Sequence, residues 1–222
     1  MTTSYRLVVV VALFVTCLIT ANIIIAKQIS ICGLVLPAAI IIFPLSYIIG
    51  DVLTEVYGYK QARRVIWLGF LCNLLAVIAI WIGKILPPAL IFKEQIAYEH
   101  ILGNTPRFLL ASFAAYLAGE FANSFVLAKM KIRTRGRWLW TRTIGSTLVG
   151  QGIDTIIVLT IAFWGVMPFS VLGTMILGHW LVKTAYEVIA TPFTYSAVSY
   201  LKRKEDTDVY DYGVDFNPLR IS

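Results

Sequence analysis

Apolar stretches of about 20 residues recur along this chain, and they constrain its fold more than any other feature. A helix needs about 20 such residues to cross the hydrocarbon core of a bilayer, where only helices and closed barrels satisfy their own backbone hydrogen bonds. The sequence predicts six spans, at residues 7–26, 34–56, 65–86, 108–128, 144–165 and 171–201. We therefore expect an all-α integral membrane protein, a bundle of about six transmembrane helices.

The composition agrees with a chain whose main solvent is lipid. Of the 222 residues, 59% are apolar and 14% are charged, a balance that does not suit a water-facing surface. The first apolar stretch is longer than the core of a usual signal peptide, so we interpret it as a retained span. Cys17, Cys32 and Cys72 are scattered and odd in number. Their spacing predicts no disulfide framework, metal site or cofactor.

Basic residues are concentrated on one side of the predicted spans. Fourteen of the 19 Lys and Arg residues precede the first span, follow the sixth, or lie in the loops after the second and fourth. The positive-inside rule then predicts a multi-pass protein of a bacterial inner membrane with both termini in the cytoplasm. Membrane topology and anionic lipid also account for the net charge of +7, so no nucleic-acid partner is expected.

The end of the chain differs in composition from the rest. Residues 205–222 are rich in acidic and poor in apolar residues. This composition predicts a polar cytoplasmic tail that is solvated, disordered and without a chemical role. The transmembrane domain is accordingly expected at residues 1–204.

Ionisable side chains inside the predicted spans are the candidate functional residues. Each costs about 2.5 to 3.5 kcal/mol when inserted at a helix centre. Their spacing places them in stripes along single helix faces, because residues four apart are neighbours on a helix. Four spans carry such stripes, formed by Tyr47, Asp51 and Glu55; by Tyr116, Glu120 and Asn123; by Gln151 and Asp154; and by His179, Lys183 and Glu187. We expect the stripes to converge around one cavity.

Some of these charges also admit a structural interpretation. Glu55, and Asp51 with it, would be hydrated if it lay at a helix end facing Lys60 or Arg63.

Three charges on the sixth span have similar alternatives. Lys183 and Glu187 are spaced to form an internal ion pair that fixes helix packing. His179 lies near the outer end, where an interfacial role is the simpler interpretation. Glu120 and Asp154 have no basic residue on their own spans, which favours a functional role for both.

One segment carries a family resemblance. The sequence FPLSYIIGDVLTEVYGY at residues 43–59, followed by Ala62, Arg63 and Arg64, resembles the signature of the bacterial queuosine-precursor transporters, a branch of the vitamin-uptake-transporter group. The resemblance extends over nearly the whole chain and includes residues 119–124, 142–154 and 183–192. It implies import of 7-deazapurines, such as 7-cyano-7-deazaguanine and its aminomethyl relative, which cells salvage to modify tRNA. The implied partners are this small molecule and membrane lipids; the oligomeric state is not predicted.

The implied ligand can be compared with the polar stripes. A guanine-like edge presents two N–H donors that one carboxylate accepts together, and a planar ring packs on an aromatic face. Glu120 or Glu187 would supply the carboxylate, and Asn123 or Gln151 would bind the ligand carbonyl. The expected substrate-binding residues are Tyr47, Asp51, Tyr116, Glu120, Asn123, Gln151, Asp154, Lys183 and Glu187. Uptake would be coupled to protons through Asp154 or Glu187, or would be facilitated entry followed by metabolic trapping.

Two other classes of protein remain as alternatives. A substrate-binding subunit of a multi-component vitamin importer would have a bundle of similar size. A membrane-embedded enzyme is disfavoured, because Ser146 lacks a nucleophile-elbow motif and no further acidic residues complete a pair of metal sites beside Asp51 and Glu55.

Overall fold

The computed structural model describes residues 4–31, 34–103, 106–166 and 168–220. Within these ranges the chain forms helices α1 (Tyr5–Ile24), α2 (Phe43–Tyr57), α3 (Tyr59–Ile85), α4 (Gln95–Leu102), α5 (Pro106–Thr134), α6 (Leu139–Phe163) and α7 (Phe169–Glu205). An antiparallel hairpin of β1 (Gln28–Ile31) and β2 (Leu34–Pro37) leads through a 3₁₀ turn (Ala38–Ile41) into α2. Cys32 lies outside the described residues.

The predicted all-α membrane bundle is confirmed. In the part of the chain that the structure describes, five segments are long and apolar enough to cross a membrane: Tyr5–Ile24, Ala38–Tyr57, Tyr59–Ile85, Gln95–Thr134 and Leu139–Phe163. The sixth long helix, α7, has 37 residues and more polar positions along its length. Large apolar side chains such as Leu75 and Ile189 are exposed on the outside of the bundle, as expected where the solvent is lipid.

The second predicted span is only partly helical. Residues 34–37 form a strand, and α2 itself has 15 residues, with Pro44 in its first turn. Proline suits the first turn of a helix because its missing N–H is not needed there. A helix of this length rises about 22 Å, which leaves the start of α2 short of the far side of the hydrocarbon core.

The two ends of the described chain lie at the same end of the bundle. Ser4 Oγ donates to Glu205 Oε1 at 2.6 Å, and Arg6 Nη1 donates to the same oxygen at 3.1 Å. We call this the strap end, and the opposite end, which carries the hairpin, the vestibule end. The assignment of the strap end to the cytoplasm stays a prediction.

Helix α2 lies at the centre of the bundle. Its residues from Gly50 to Val56 are all buried, and it packs against α1, α3, α5 and α7. One apolar core joins Phe14 and Leu18 of α1 to Leu53 of α2 and Ile66 of α3. The charged residues of α2 are therefore enclosed by protein and do not face lipid.

Residues 206–220, which we call the tail strap, are held against the helices. Both carboxylate oxygens of Asp211 accept a hydrogen bond from Tyr59 N, and Arg63 donates to the main-chain oxygens of Asp215 and Asn217. The prediction of a disordered end is wrong for these residues. Asp208 and Asp211 have cationic and N–H partners on the helices, which composition alone does not reveal.

Candidate functional site

A cavity of about 710 Å³ opens at the vestibule end of the bundle. It is bounded by the end of α1, the hairpin, and the vestibule-end halves of α5, α6 and α7. Most of its lining is apolar, with side chains such as Ile40, Phe108 and Met175. We call this cavity the vestibule. Of the nine predicted site residues, Asp154 and Lys183 line it, together with His179.

An ion pair connects two helices at the vestibule. Lys183 Nζ of α7 donates to Asp154 Oδ2 of α6 at 2.7 Å and lies 4.8 Å from the centre of the Phe43 ring. We call Asp154 and Lys183 the floor pair. The predicted pairing of Lys183 with Glu187 is wrong, because the lysine reaches across to α6 instead of along its own helix. Asp154 therefore has the cationic partner that its own span lacks.

Two glycines bring the helices together next to the floor pair. A methyl group added at Gly119 of α5 would lie 2.6 Å from the Tyr47 hydroxyl oxygen and 2.8 Å from Asp154 Cβ. One added at Gly150 of α6 would lie 2.6 Å from Asn123 Cβ. Only glycine permits this approach, so α2, α5 and α6 place their polar residues side by side.

Beyond the floor pair, further into the bundle, lies a group of buried polar residues that we call the polar cluster. Asn123 Nδ2 donates to Asp51 Oδ1 at 2.6 Å, which joins α5 to α2. Asp51 is also close enough to Glu187 and Glu120 for electrostatic repulsion between the carboxylates. The members are Tyr47, Asp51, Glu120, Asn123, Thr147, Gln151 and Glu187, all at most 1% exposed. The structure thus brings together eight of the nine predicted residues, counting the floor pair with the cluster.

Many polar atoms of this cluster have no hydrogen-bond partner among the residues that the structure describes. Both carboxylate oxygens of Glu120, both of Glu187 and both amide atoms of Gln151 lack a hydrogen bond. The same holds for the Tyr47 hydroxyl, Asp51 Oδ2, Asn123 Oδ1 and the Thr147 hydroxyl. Buried polar groups in native proteins are almost always paired, since an unpaired one costs about 1 to 3 kcal/mol. Their concentration in one place makes this cluster the candidate binding site.

Two predicted residues need separate comment. Tyr116 is committed to packing, because its hydroxyl donates to Ile66 O at 2.9 Å and its ring belongs to the apolar core around Phe14. Asn123 has already used one donor on Asp51, whereas both ends of the Gln151 amide are free. Gln151 is therefore better placed than Asn123 to bind a ligand carbonyl.

Glu55, one turn beyond Asp51 on α2, has a different environment. Arg142 of α6 donates to both of its carboxylate oxygens, at 2.8 and 3.3 Å, and Lys202 of α7 donates at 2.7 Å. Lys131 of α5 lies 3.8 Å from the same carboxylate and donates to Asp208. We call these five residues the Glu55 network. The interpretation of Glu55 as hydrated beside Lys60 or Arg63 is wrong, since it is buried and its partners come from other helices.

The tail strap contributes one acid to this network. Burial alone would raise the pKa of Asp208, but hydrogen bonds from Lys131 and Lys202 outweigh it and hold the pKa below its ordinary value. Asp208 therefore stays ionised beside the two lysines at neutral pH.

Sequence reasoning missed several of these residues. Lys131, Arg142 and Lys202 were explained by topology alone, since loop cations carry no signal of an inward-pointing side chain. Thr184 was not distinguished from other threonines, several of which donate to a carbonyl on their own helix, as Thr191 does.

The polar cluster presents groups that form hydrogen bonds. Among the described residues, no three His, Cys, Asp or Glu side chains are grouped so as to hold a metal ion. What the cluster offers is carboxylate acceptors, one amide with both ends free, and a tyrosine hydroxyl.

Comparison with known proteins places the chain among transporters. Residues 37–197 match the model of a family described as "Putative vitamin uptake transporter". The chain is similar to a Bacillus subtilis (strain 168) protein named "Probable queuosine precursor transporter", 32% identical over 84% of this chain and 82% of the relative. It is also similar to the Escherichia coli (strain K12) protein named "Queuosine precursor transporter", 27% identical over 73% of this chain and 72% of that protein. No solved structure matches the chain.

Proposed function

Because its family model covers most of the sequence, the chain belongs to the vitamin uptake transporter family, and we propose that it imports 7-deazapurine precursors of queuosine. It is a multi-pass bacterial membrane protein and a transporter, not an enzyme. The names of the two relatives support the substrate class. A 7-deazaguanine such as 7-cyano-7-deazaguanine is the ligand we assign to the polar cluster.

The observation that carries the proposal is the set of unpartnered polar atoms between α2, α5, α6 and α7. A purely structural cluster would be expected to satisfy its own hydrogen bonds, as the Glu55 network does. A ligand that enters the cluster supplies the missing donors and acceptors. Transport then follows from the buried position of the cluster, because a bound ligand lies between the two ends of the bundle.

The functional groups of the cluster complement the edge of a deazaguanine. The ring N–H and the exocyclic amine are neighbouring donors, and both carboxylate oxygens of Glu120 are free to accept them. Such charge-assisted bonds are stronger than neutral ones. The free amide of Gln151 is suited to the ligand carbonyl. In this assignment the ring of Tyr47, which already packs 5.7 Å from Phe43, supports the planar heterocycle.

The path into the cluster passes the floor pair. Asp154 lines the vestibule and is also the neighbour of Gly119 and Tyr47 on the cluster side. A ligand that leaves the vestibule for the cluster must therefore displace the contact between Lys183 and Asp154. In this proposal the floor pair is a gate, with both residues also in reach of the passing ligand.

Uptake in cells tests the proposal. In a strain that cannot synthesise 7-cyano-7-deazaguanine, we expect the protein to support accumulation of the labelled compound. Glu120→Gln replaces one of the two acceptor oxygens by a donor that faces the ligand's own donors, so we expect uptake to fall at least about tenfold.

The matched control is Glu94→Gln, the same change at an exposed acid outside the cluster. It should leave uptake unchanged. Membrane levels of both variants are measured by immunoblot. Normal uptake by Glu120→Gln at normal protein level would remove this carboxylate from the site, and absence of uptake by the unmodified protein would remove the ligand.

A further inference from the structure

The tail strap ties together three helices at the strap end. It reaches α3 through Tyr59, Arg63 and Trp67, the last donating to Pro218 O at 2.8 Å. It reaches α5 through Phe216, whose ring packs 5.2 Å from that of Phe125. It reaches α2 through Val209 N, which donates to Val56 O at 3.2 Å. The strap therefore spans the end of the bundle.

The strap completes a helix terminus that the local sequence leaves open. Helix α3 begins directly after Gly58, which has φ +82° and no side chain to cap the helix. The carboxylate of Asp211, only 2% exposed, accepts from Tyr59 N with both oxygens, at 3.0 and 3.1 Å. An anion at a helix N-terminus is favourable, because the first N–H groups and the helix dipole point at it. Asp211 is thus a cap supplied from 152 residues away.

The strap also closes over the Glu55 network. Asp208 pairs with Lys131 at 2.6 Å and with Lys202 at 2.8 Å, and Val209 O accepts from Lys131 at 2.6 Å. Lys131 in turn donates to Glu55 O. Removing the strap would therefore take one anion, Asp208, and one main-chain acceptor, Val209 O, away from Lys131 and Lys202.

The two ends of the bundle differ in access to the polar cluster. At the vestibule end both residues of the floor pair line a large cavity, and Asp154 is also a neighbour of Gly119 on the cluster side. At the strap end the Glu55 network and the tail strap lie in succession below Asp51. If the proposed function holds, a ligand bound in the cluster can leave at the strap end only after these contacts separate.

We propose that the tail strap is a latch that holds the strap end closed while the vestibule end admits ligand, and that its release opens the exit. This inference rests on the proposed function for the identity of the cargo but not for the opening itself. The groups that hold the strap to the helices are Asp208, Asp211 and main-chain carbonyls of one short continuous segment. The strap therefore detaches and reseats as one unit.

Thiol labelling tests the opening without any ligand. In a variant with the three native cysteines replaced, Ser124→Cys places a thiol at a buried position on α5, where Ser124 Oγ accepts from Thr54 of α2. Adding Asp211→Ala removes the cap that seats the strap, and we expect labelling by a small maleimide to become about tenfold faster. The control is Asp215→Ala, a strap acid whose side chain is half exposed and pairs with Arg220 and Asn217 N, both within the strap. It should label at the starting rate.

A crosslink tests the same latch in a protein that keeps its cap. In the cysteine-free background, Trp67→Cys with Pro218→Cys joins strap to α3 through a short reducible bifunctional reagent. We expect the linked protein, purified and reconstituted in liposomes, to bind labelled 7-cyano-7-deazaguanine but to transport less than a tenth of the amount moved after reduction.

The outcomes test the latch and the proposed ligand independently. Equal labelling of Ser124→Cys with Asp211→Ala and with Asp215→Ala, in protein that elutes as a folded species, would overturn the latch. So would full transport by the linked protein. If neither linked nor reduced protein binds the compound, the proposed ligand fails, and the labelling rates alone decide the latch.

Discussion

Asp51 and Glu55 lie one turn apart on the same face of α2, yet their surroundings are opposite. Glu55 receives hydrogen bonds from Arg142 and Lys202, whereas Asp51 has one neutral donor, Asn123, and an oxygen without a partner. Both are fully buried. The comparison separates two uses of buried charge. The Glu55 network is satisfied by other helices and joins them, whereas the polar cluster is left with unpaired atoms, and we propose that these bind the ligand.

Removing the carboxylate of the Glu55 network should have the largest effect on stability. Glu55→Gln leaves Arg142, Lys131 and Lys202 with Asp208 as their remaining acid in the network. We expect a loss of about 3 to 5 kcal/mol, because stranded buried charges are costly. Thermal unfolding in detergent should show a clear drop in the melting temperature, with Glu94→Gln as the control at an exposed acid. An unchanged melting temperature would mean that the network does not hold the helices together.

An intermediate effect on stability is expected at Gly119, where α5 approaches α2 and α6 closely. Gly119→Ala places a methyl group 2.6 Å from the Tyr47 hydroxyl oxygen of α2 and 2.8 Å from Asp154 Cβ of α6, closer than atoms can pack, so α5 must move away from both helices. We expect a loss of about 1 to 3 kcal/mol in stability and loss of uptake. Gly178→Ala on α7 is the matched control, because a methyl group there meets nothing within 4 Å. Equal stability of the two variants would contradict the close approach on which the polar cluster depends.

The smallest effect on stability, and a large one on function, is expected in the polar cluster. Glu187→Gln removes a buried carboxylate that has no cation beside it, so stability should change by less than about 1 kcal/mol or rise. Uptake should nevertheless fall. If Glu187→Gln destabilised the protein as strongly as Glu55→Gln, the distinction between the two groups would be lost.

The sequence predicts the helices well because each span carries its own apolar signal. It does not predict the hairpin before α2, since residues 34–42 are as apolar as the helix that follows and only Pro37 and Pro44 interrupt the pattern. The bundle itself was expected, whereas the short α2 and the strand next to it depend on packing at the vestibule end.

The residues of the polar site were predicted, but their pairing across helices was not. The spacing of residues along the sequence shows which of them share a helix face, and it places Lys183 beside Glu187. The structure pairs Lys183 with Asp154, because contacts between helices depend on which faces meet, and a single sequence does not encode that simply. The tail strap was missed because an acidic segment predicts solvation unless the buried cations and N–H groups that receive it are known.

Equilibrium binding is the most direct test of the central claim that the unpaired polar cluster holds the ligand. Purified protein in detergent is titrated with labelled 7-cyano-7-deazaguanine, alongside Glu120→Gln and Glu94→Gln, each confirmed as folded by its melting temperature. We predict binding by the unmodified protein and by Glu94→Gln, and affinity reduced at least about tenfold in Glu120→Gln. Equal affinity of all three would contradict the account.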